Sequence, residues 1–483
     1  MSQGTATSEP PPFTRALAER ACNLRFADLP EDIVVRARHS ILDWLGVTLS
    51  GWHDPLVDRL TRVVEAEGGE PAATLVGSGR KVSASQAALV NGTASHALDF
   101  DDVHLLSRTH PSVPVAPAAL AVAERDGRDG KALITAFVAG VEVQSAIAAV
   151  MGEAHYKRGW HNTATFGMFG ATAAAGHLLG LTVEQMQHAF GIAATQAAGL
   201  RVSFGTMCKP LHAGHAASQG LTAAALAREG FTSRSDALEC ADGFAAMLGG
   251  EDSLERMAAA LNSHGALDRD YFHTGLIMFK FHASCYGTHA PIESALRLKE
   301  QLKGRLPENL DVSVEPQYMS VCNIATPSTP LEAKFSIRHA VALALLGYDL
   351  ADGESFSAAT RDDPKVVDLR ERIRVAGDAG VKRANARIDA HLGDGSTLSA
   401  SGDASRAETD LAHQARRVEA KFAICARGSI NETSIARTIE MCRELERVGD
   451  VSTFLAALRT PGSQEQDSSQ DSPRRLQAVK DRA

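Results

Sequence analysis

Apolar residues in the first half of the chain recur with helical spacing. The clearest repeat has apolar positions four residues apart: Ile33, Ala37, Ile41 and Leu45. Such spacing places side chains on one face of a helix, and Pro30 suits its first turn. Residues 130–150 are apolar almost all round, which is typical of a helix in the centre of a bundle. This half of the chain therefore predicts packed helices.

The pattern changes after about residue 273. Residues 310–316 alternate apolar and polar side chains, as a half-buried strand does, and residues 315–321 are also strand-like. Asp394 and Gly395 predict a hairpin turn between two further strands. From about residue 412 the helical pattern returns. The middle of the chain therefore predicts a smaller unit that mixes strands and helices.

We predict a mainly α fold, with a large all-helical domain and an inserted smaller α/β domain that acts as a lid. A chain of 483 residues exceeds what one hydrophobic core usually supports. The helical domain is assigned to residues 13–272 and 412–462, and the α/β domain to residues 273–411. The polar ends, residues 1–12 and 463–483, are predicted to be disordered.

Composition and charge exclude several classes of partner. The formal net charge is -9 and no stripe of Lys and Arg follows the chain, so we expect no nucleic-acid partner. The amino terminus does not resemble a signal peptide, and no apolar run is expected to span a membrane. Seven scattered cysteines without a Cys-x-x-Cys pair indicate reduced thiols and a cytoplasmic protein.

Residues 94–112 concentrate ionisable side chains. The stretch holds three carboxylates and three imidazoles: Asp99, Asp101, Asp102, His96, His104 and His110. Charged groups packed this densely must be paired, solvated or catalytic, and shifted pKa values are expected among them. The alternative is the solvated end of a helix followed by a loop.

Two lysines lie among apolar neighbours, and each has a histidine close by in the sequence. Lys209 precedes His212, and Lys280 precedes His282. A lysine in such surroundings either extends its ammonium group to solvent or binds an anion. Because the arrangement occurs twice, we interpret the lysines and their histidines as clamps for substrate carboxylates.

Five motifs in order resemble those of the MmgE/PrpD family. They are DFDD at 99–102 followed by THPS at 109–112, RGWHNTATFG at 158–167, GTMCKPLHAGHAA at 205–217, FKFHASCYGTH at 279–289 and TPLEAKFSIRHAV at 329–341. The resemblance covers about residues 13–460. The family includes 2-methylcitrate dehydratases, cis-aconitate decarboxylases and iminodisuccinate epimerases, so it implies chemistry on small carboxylic acids.

The resemblance implies roles for particular residues. His110 and His161 match cleft histidines that could move a proton next to a carboxylate, although a lone loop histidine is more often structural. Asp99 would orient a base or hold its charge. Lys209 and Lys280 match cleft lysines. The full predicted set is His110, His161, Asp99, Lys209 and Lys280 as catalytic residues, with Lys209, Lys280, His212, His282 and Tyr318 binding the substrate.

Two positions depart from the family pattern. Val103 stands where the decarboxylase and dehydratase branches carry threonine, and a methyl group cannot replace that hydroxyl's hydrogen bond. Cys285 stands where the decarboxylases have a cleft histidine. The motifs around His110, His161 and Lys209 look nearer to the epimerase-like members. The shared step, proton transfer next to a carboxylate, is compatible with both departures.

We therefore predict a cofactor-independent lyase that dehydrates or decarboxylates a small di- or tricarboxylate. The alternatives are an epimerase of an iminodisuccinate-like dicarboxylate and an inactive carboxylate-binding protein. No metal is expected, because the chain has neither an HExxH motif nor the cysteine spacing of an iron–sulfur cluster. No glycine fingerprint for a dinucleotide is present either. Composition and the resemblance together suggest a homodimer.

Overall fold

The computed structural model describes residues 12–262, 267–268 and 270–458. The predictions for residues 1–12 and 463–483 fall, apart from residue 12, outside these ranges. The chain is mainly α, as predicted. The helices before residue 263 are α1 Phe13–Asn23, α2 Glu31–Gly51, α3 Pro55–Glu67, α4 Ala84–His96, α5 Ser112–Arg125, α6 Gly130–Lys157, α7 Asn162–Leu178, α8 Val183–Ala194, α9 Cys208–Arg228, α10 Phe244–Leu248 and α11 Ser253–Asn262, with two short strands, β1 Ala73–Thr74 and β2 Lys81–Val82.

A four-stranded sheet with helices packed around it follows. Its strands are β3 Asn309–Val314, β4 Ile373–Gly377, β5 Asn385–His391 and β6 Thr397–Asp403, in the order β4-β3-β5-β6. β3 is parallel to β4 and antiparallel to β5, and β5 is antiparallel to β6. The accompanying helices are α12 His289–Leu302, α13 Tyr318–Val321, α14 Pro330–Ala333, α15 Ile337–Leu346, α16 Ala358–Arg361 and α17 Pro364–Glu371, and the chain then continues as α18 Leu411–Ala426, α19 Glu432–Arg443 and α20 Val451–Ala457.

Local signals explain where several elements begin and turn. The Asp129 side chain accepts a hydrogen bond from the Ala132 amide and caps α6. Thr182 and Gln185 form a capping box at the start of α8. The predicted hairpin turn joins β5 and β6, where Gly395 has a φ of 82°. This left-handed conformation is one that glycine adopts without a steric penalty.

The prediction that residues 315–321 are strand-like is wrong. β3 ends at Val314, and Tyr318 begins the short helix α13. Pro316 explains the difference, because proline has no backbone N–H with which to continue a strand ladder. The Tyr318 amide instead donates to the Glu315 carbonyl at 3.0 Å, which closes a turn.

Small residues let the central helices approach closely. A Cβ atom at Gly170 of α7 would lie 2.9 Å from the Gly140 carbonyl oxygen of α6. A Cβ at Gly92 of α4 would lie 2.8 Å from the Gly214 Cα of α9. Both distances are too short for a real side chain, so these glycines are needed for the observed helix contacts.

The expectation that no apolar run could span a membrane needs correction. The helix α6, Gly130–Lys157, is long and apolar enough to do so. Yet 94% of its most apolar 18-residue window is buried inside the protein. The neighbouring helices α5 and α7 pack against it. The apolar length of α6 is therefore that of a core helix.

The buried side chains form two hydrophobic cores. The larger core unites the helices before residue 263 with side chains of α18 to α20, such as Val418 and Phe454. The smaller core lies between the four-stranded sheet and the helices α12, α15 and α17. The helices after the sheet thus pack back on the first half of the chain, mainly through α18 against α2. The residue boundaries given above for the two domains stay a prediction.

Candidate active site

A cavity of about 440 Å³ lies where the end of α4, the start of α9 and the segment around α14 meet. Both predicted domains contribute to its wall. Its polar lining includes His96, Asp99, Lys209, Ser284, Cys285 and Lys334. Its apolar lining includes Leu56, Leu98, Met207, Pro210, Leu331 and Phe335. A concave site of this size with a few convergent polar groups is typical of a small-molecule pocket.

Asp99 is the point on which two of the predicted lysines converge. The Lys209 Nζ lies 2.5 Å from Asp99 Oδ1, and the Lys280 Nζ lies 3.1 Å from Asp99 Oδ2. Lys280 also donates to the Asp99 carbonyl. The chain turns sharply here, since Asp99 has a φ of 53° three residues after α4 ends. Strained backbone of this kind is concentrated at functional sites.

Asp101 organises the imidazoles beside this lysine pair. Its carboxylate oxygens lie 3.0 Å from His96 Nδ1, and its Oδ2 lies 2.8 Å from His110 Nδ1. The other ring nitrogen of His110, Nε2, lies 3.9 Å from Asp99 Oδ1. His110 therefore sits between the two carboxylates. One nitrogen faces the fully buried Asp101, and the other faces Asp99 at the cavity.

Three contacts hold the rest of this loop in place. The Lys421 Nζ of α18 donates to the Phe100 carbonyl at 2.7 Å. The Ser112 amide donates to Asp102 Oδ1 at 3.2 Å at the start of α5. Val103 pairs with Met278 through two backbone hydrogen bonds of 2.8 and 2.9 Å. Consecutive residues are thus anchored to different elements, which fixes the positions of Asp99 and Asp101.

The carboxylates of Asp99 and Asp101 stay ionised because basic side chains lie against them. Burial raises the pKa of Asp99, but the ammonium groups of Lys209 and Lys280 outweigh it and hold that pKa well below its usual range. For Asp101, burial is outweighed in the same way by His110 and His96, and its pKa is also well below its usual range. The pKa of Lys209 is raised, because the charge of Asp99 overcomes the effect of burial.

Asp102, the next residue, behaves in the opposite way. Its side chain is fully buried, and burial raises its pKa to about 8. The nearby charge of Asp43 raises it further, while hydrogen bonds from Ser112 lower it. Burial likewise raises the pKa of Asp43 to about 6, despite Lys421 at 2.7 Å. At pH 7 Asp102 is therefore mainly a neutral carboxylic acid.

His161 is the second predicted catalytic histidine, and it lies next to the same cluster. Its Nδ1 is 3.1 Å from the His212 Nδ1, and its ring stacks 6.0 Å from that of His96. Burial, followed by the neighbouring positive groups, lowers the pKa of His161 well below its usual range. His161 is therefore a neutral imidazole at pH 7. Phe204 packs against its ring and lies 5.6 Å from the Lys209 Nζ.

Several predicted site residues are not among those that line the cavity: His110, His161, Lys280, His212, His282 and Tyr318. The His282 Nε2 lies 3.1 Å from Glu293 Oε1, and this glutamate also pairs with Arg417 of α18. Tyr318 is only 8% exposed and lies in the smaller core. His104, the third imidazole of residues 94–112, is also turned away, since its Nδ1 accepts from the Ser107 amide.

The prediction left out three residues that the structure places at the site: His96, Asp101 and Lys334. His96 and Asp101 belong to the same ionisable stretch as Asp99, but the sequence does not show which members face the cavity. Lys334 lies in the last of the five motifs, where it resembles an ordinary helical lysine. Its place on the cavity wall depends on how the smaller domain packs, which local sequence does not reveal.

Four groups at this site could in principle hold a metal ion. Ligand atoms of His96, Asp99, Asp101 and His110 all lie within 4.8 Å of one another. The two carboxylates already have partners, however: two ammonium groups face Asp99, and two imidazole rings face Asp101. A divalent cation would have to approach those ammonium groups. The arrangement suits a bound anion better than a bound cation.

Comparison with known proteins adds independent information. Family models described as the MmgE/PrpD N-terminal domain and the MmgE/PrpD C-terminal domain match residues 15–257 and 282–447. The cis-aconitate decarboxylase of Aspergillus terreus is 28% identical, over 93% of this chain and 96% of that enzyme. The cis-aconitate decarboxylases of Mus musculus and Homo sapiens are each 25% identical over 94% of this chain, and over 95% and 96% of their own lengths.

Proposed function

Since this chain belongs to the MmgE/PrpD family, we propose that it is a lyase that removes carbon dioxide or water from a small tricarboxylate or a related dicarboxylate. Decarboxylation is the leading reaction, because the relatives that match nearly the whole chain are cis-aconitate decarboxylases. The observation that carries the proposal is the cavity site where Lys209, Lys280 and His110 meet around Asp99. It offers both charge for a carboxylate and a group that transfers a proton.

The first step is binding of the substrate carboxylate. Two ammonium groups share the carboxylate of Asp99, so Lys209 at the cavity wall keeps N–H donors with which to bind a substrate carboxylate. Lys209 lines the cavity, whereas Lys280 is almost fully buried behind Asp99. Lys209 is therefore assigned to the substrate, and Lys280 holds Asp99 and its backbone in position. Charge-assisted hydrogen bonds of this kind are the strong ones.

The second step is bond cleavage followed by proton transfer. When carbon dioxide leaves, the electron pair of the broken carbon–carbon bond stays on the substrate, and a proton must then reach that carbon. His110 is the proton donor in this proposal, because its Nδ1 lies 2.8 Å from the Asp101 carboxylate and its Nε2 faces Asp99 at the cavity. For dehydration, the same group would protonate the departing hydroxyl. His161, a neutral imidazole, would hydrogen-bond the substrate or accept a proton.

Epimerisation is the second candidate function. Two histidines, His110 and His161, flank His96 with ring centroids at 4.7 and 6.0 Å. They come from different parts of the chain, and an epimerase needs two groups that transfer protons on opposite faces of one carbon. The replacement of the decarboxylases' cleft histidine by Cys285 leaves this alternative open. An inactive carboxylate-binding protein is the third possibility.

Nuclear magnetic resonance in D₂O tests these possibilities together. The protein is incubated with cis-aconitate and then with a panel of di- and tricarboxylates, and the spectra are followed over time. Loss of carbon dioxide or water is expected and identifies the lyase reaction. Deuterium incorporation at one carbon without net change would identify an epimerase instead. If no acid on a broad panel reacts or exchanges, the proposal fails.

The proposal extends to cofactors, assembly and location. Side chains supply every proton and charge that the reaction uses, so dialysis against a metal chelator should leave turnover unchanged. We also propose a cytoplasmic homodimer; all seven cysteines are free thiols, consistent with a reducing compartment. Light scattering at micromolar concentration should return twice the mass of one chain. A monomer mass would refute the dimer.

A further inference from the structure

A third lysine on the cavity wall differs from the other two. Lys334 follows α14 in the smaller domain, and its side chain is half-buried at the cavity. Its backbone position is well defined, because its carbonyl accepts from the Cys285 amide at 3.0 Å and its amide donates to the Leu331 carbonyl at 3.1 Å. The ammonium group is thus presented by an anchored turn.

The charge of Lys334 has no local partner. Lys209 and Lys280 share Asp99, and Lys421 pairs with Asp43. The Lys334 Nζ, by contrast, makes no ion pair or hydrogen bond with any residue in the described part of the chain. Burial lowers the pKa of Lys334, and Asp99 acts on it only from a longer distance. A partly desolvated ammonium group without a counterion is unfavourable until an anion binds.

The remaining acidic residue of the cavity wall does not supply that counterion. Asp54 lines the cavity, but its Oδ1 accepts from the Leu56 amide at 3.0 Å and caps α3. In the described part of the chain Asp99 pairs directly with Lys209 and Lys280, whereas the charges of Asp99, Asp54 and Glu354 act on Lys334 without an ion pair. Lys209 of the predicted helical domain and Lys334 of the smaller domain thus both line the cavity.

We infer that Lys334 is a substrate-binding residue that holds a second carboxylate of the acid while Lys209 holds the first. The inference rests on the proposed function and deepens it, since it assigns the second carboxylate of the di- or tricarboxylate to a particular residue. Such an acid would bridge the two predicted domains across the cavity. An acid with one carboxylate would leave one of the two lysines without a partner and would bind more weakly.

Binding of an unreactive acid tests the inference without turnover. The probe is propane-1,2,3-tricarboxylate, titrated calorimetrically into the wild type and into Lys334→Met, Lys334→Arg and Lys365→Met. Lys365 is an exposed lysine of the same domain and serves as the matched control. We expect Kd to rise ten- to a hundredfold in Lys334→Met, to recover in part in Lys334→Arg and to stay within twofold in the control.

Thermal unfolding separates binding from a structural role. Without a carboxylate in the buffer, Lys334→Met should melt at the same temperature as the wild type or higher, because it removes an unpaired charge. With the tricarboxylate present, the wild type should gain more stability than the variant. A purely structural lysine would give a lower melting temperature in both buffers, and this result would overturn the inference.

The outcomes also distinguish this inference from the proposed function. If Lys334→Met binds the tricarboxylate within twofold of the wild type, or if the wild type does not bind it at millimolar concentration, the inference is wrong. Turnover of a carboxylic acid would still support the proposed function in those cases. If no acid is turned over but tricarboxylate binding depends on Lys334, the inference stands and the lyase proposal falls.

Discussion

The pKa of Asp102 is shifted in the opposite direction from those of Asp99 and Asp101, although all three residues lie in the segment 99–102. The cavity face, defined as Asp99 and Asp101 with their lysine and histidine partners, keeps its carboxylates ionised. The buried face, defined as Asp102 with Asp43, Ser112 and Lys421, raises the pKa of Asp102 to about 8. At pH 7 Asp101 is therefore charged and its neighbour Asp102 is mainly neutral, because the groups packed against each side chain determine its pKa.

The groups that lie against each carboxylate explain the difference. Asp99 lies against the ammonium groups of Lys209 and Lys280. Asp101 lies against the rings of His110 and His96, although burial lowers the pKa of His96 to about 4 and leaves that ring neutral at pH 7. On the buried face a single ammonium group, that of Lys421, lies against Asp43 and leaves Asp102 with neutral hydrogen bonds from Ser112. Buried charges are stable only when they are paired. The ionised groups of the cavity face can therefore bind a charged substrate and transfer protons, whereas the buried face holds the loop in position.

The largest effect is expected from the histidines of the cavity face. His110→Gln and His161→Gln keep a polar side chain of similar size but remove the group that transfers the proton. We expect kcat to fall by about 10²–10⁴-fold, with a smaller change in KM, because a proton shuttle acts mainly in the transition state. Steady-state kinetics on the reactive acid measures this. Wild-type turnover by either variant would show that its role is misassigned.

The lysines of the cavity face should give the next largest effect. Lys209→Met and Lys280→Met keep most of the side-chain packing and delete one charge-assisted bond worth about 1.5–3 kcal/mol. The expected loss in kcat/KM is about 10- to 100-fold, with a circular dichroism spectrum close to that of the wild type. Unfolding of both variants would mean that the lysines stabilise the fold rather than bind the substrate.

Features of the fold and the site could be predicted from the sequence where they depend on residues close together in the chain, but not where they depend on distant residues. The helical pattern and the Asp394–Gly395 turn are local features, and both are confirmed by the structure. The five motifs also identified the ionisable groups around Asp99. The division between Asp101 and Asp102 was not predictable, because it depends on the burial of Asp102 and on its proximity to Asp43, which lies in the helix α2.

The contrast between the two faces should also appear in the pH dependence of stability. Folded Asp102 keeps its proton up to about pH 8, whereas the unfolded group loses it near pH 3.8. Wild-type stability should therefore fall as pH rises between these values, by at most about 1.4 kcal/mol per pH unit. Asp102→Asn lacks this titration, so its melting temperature should rise relative to the wild type from pH 5 to pH 8.

Asp99→Asn is the matched control for that measurement. The folded pKa of Asp99 lies below its ordinary value, so the charged form contributes stability throughout pH 5 to 8 and loses it only at lower pH. The difference in melting temperature between Asp99→Asn and the wild type should then be constant across that range. A slope for Asp99→Asn, or none for Asp102→Asn, would reverse the assignment of charge states.

The smallest effect is expected from the predicted residues that the structure places away from the cavity lining. His282→Gln removes a contact to Glu293, and Tyr318→Phe removes a hydroxyl in the smaller core. We expect kcat/KM to stay within about threefold of the wild type, because neither side chain lines the cavity in which the substrate would bind. A loss as large as that of Lys209→Met would restore these residues to the site.

The most direct test of the account compares Asp101→Asn with Asp102→Asn in one kinetic experiment. Both replace a buried carboxyl group of the same loop with an amide of the same shape. Asp101 orients His110, so Asp101→Asn should lower kcat by roughly 10³-fold or more. Asp102 is already neutral at pH 7, so Asp102→Asn should stay within about threefold of the wild type. Equal losses in the two variants would contradict the division of the loop into a catalytic face and a supporting face.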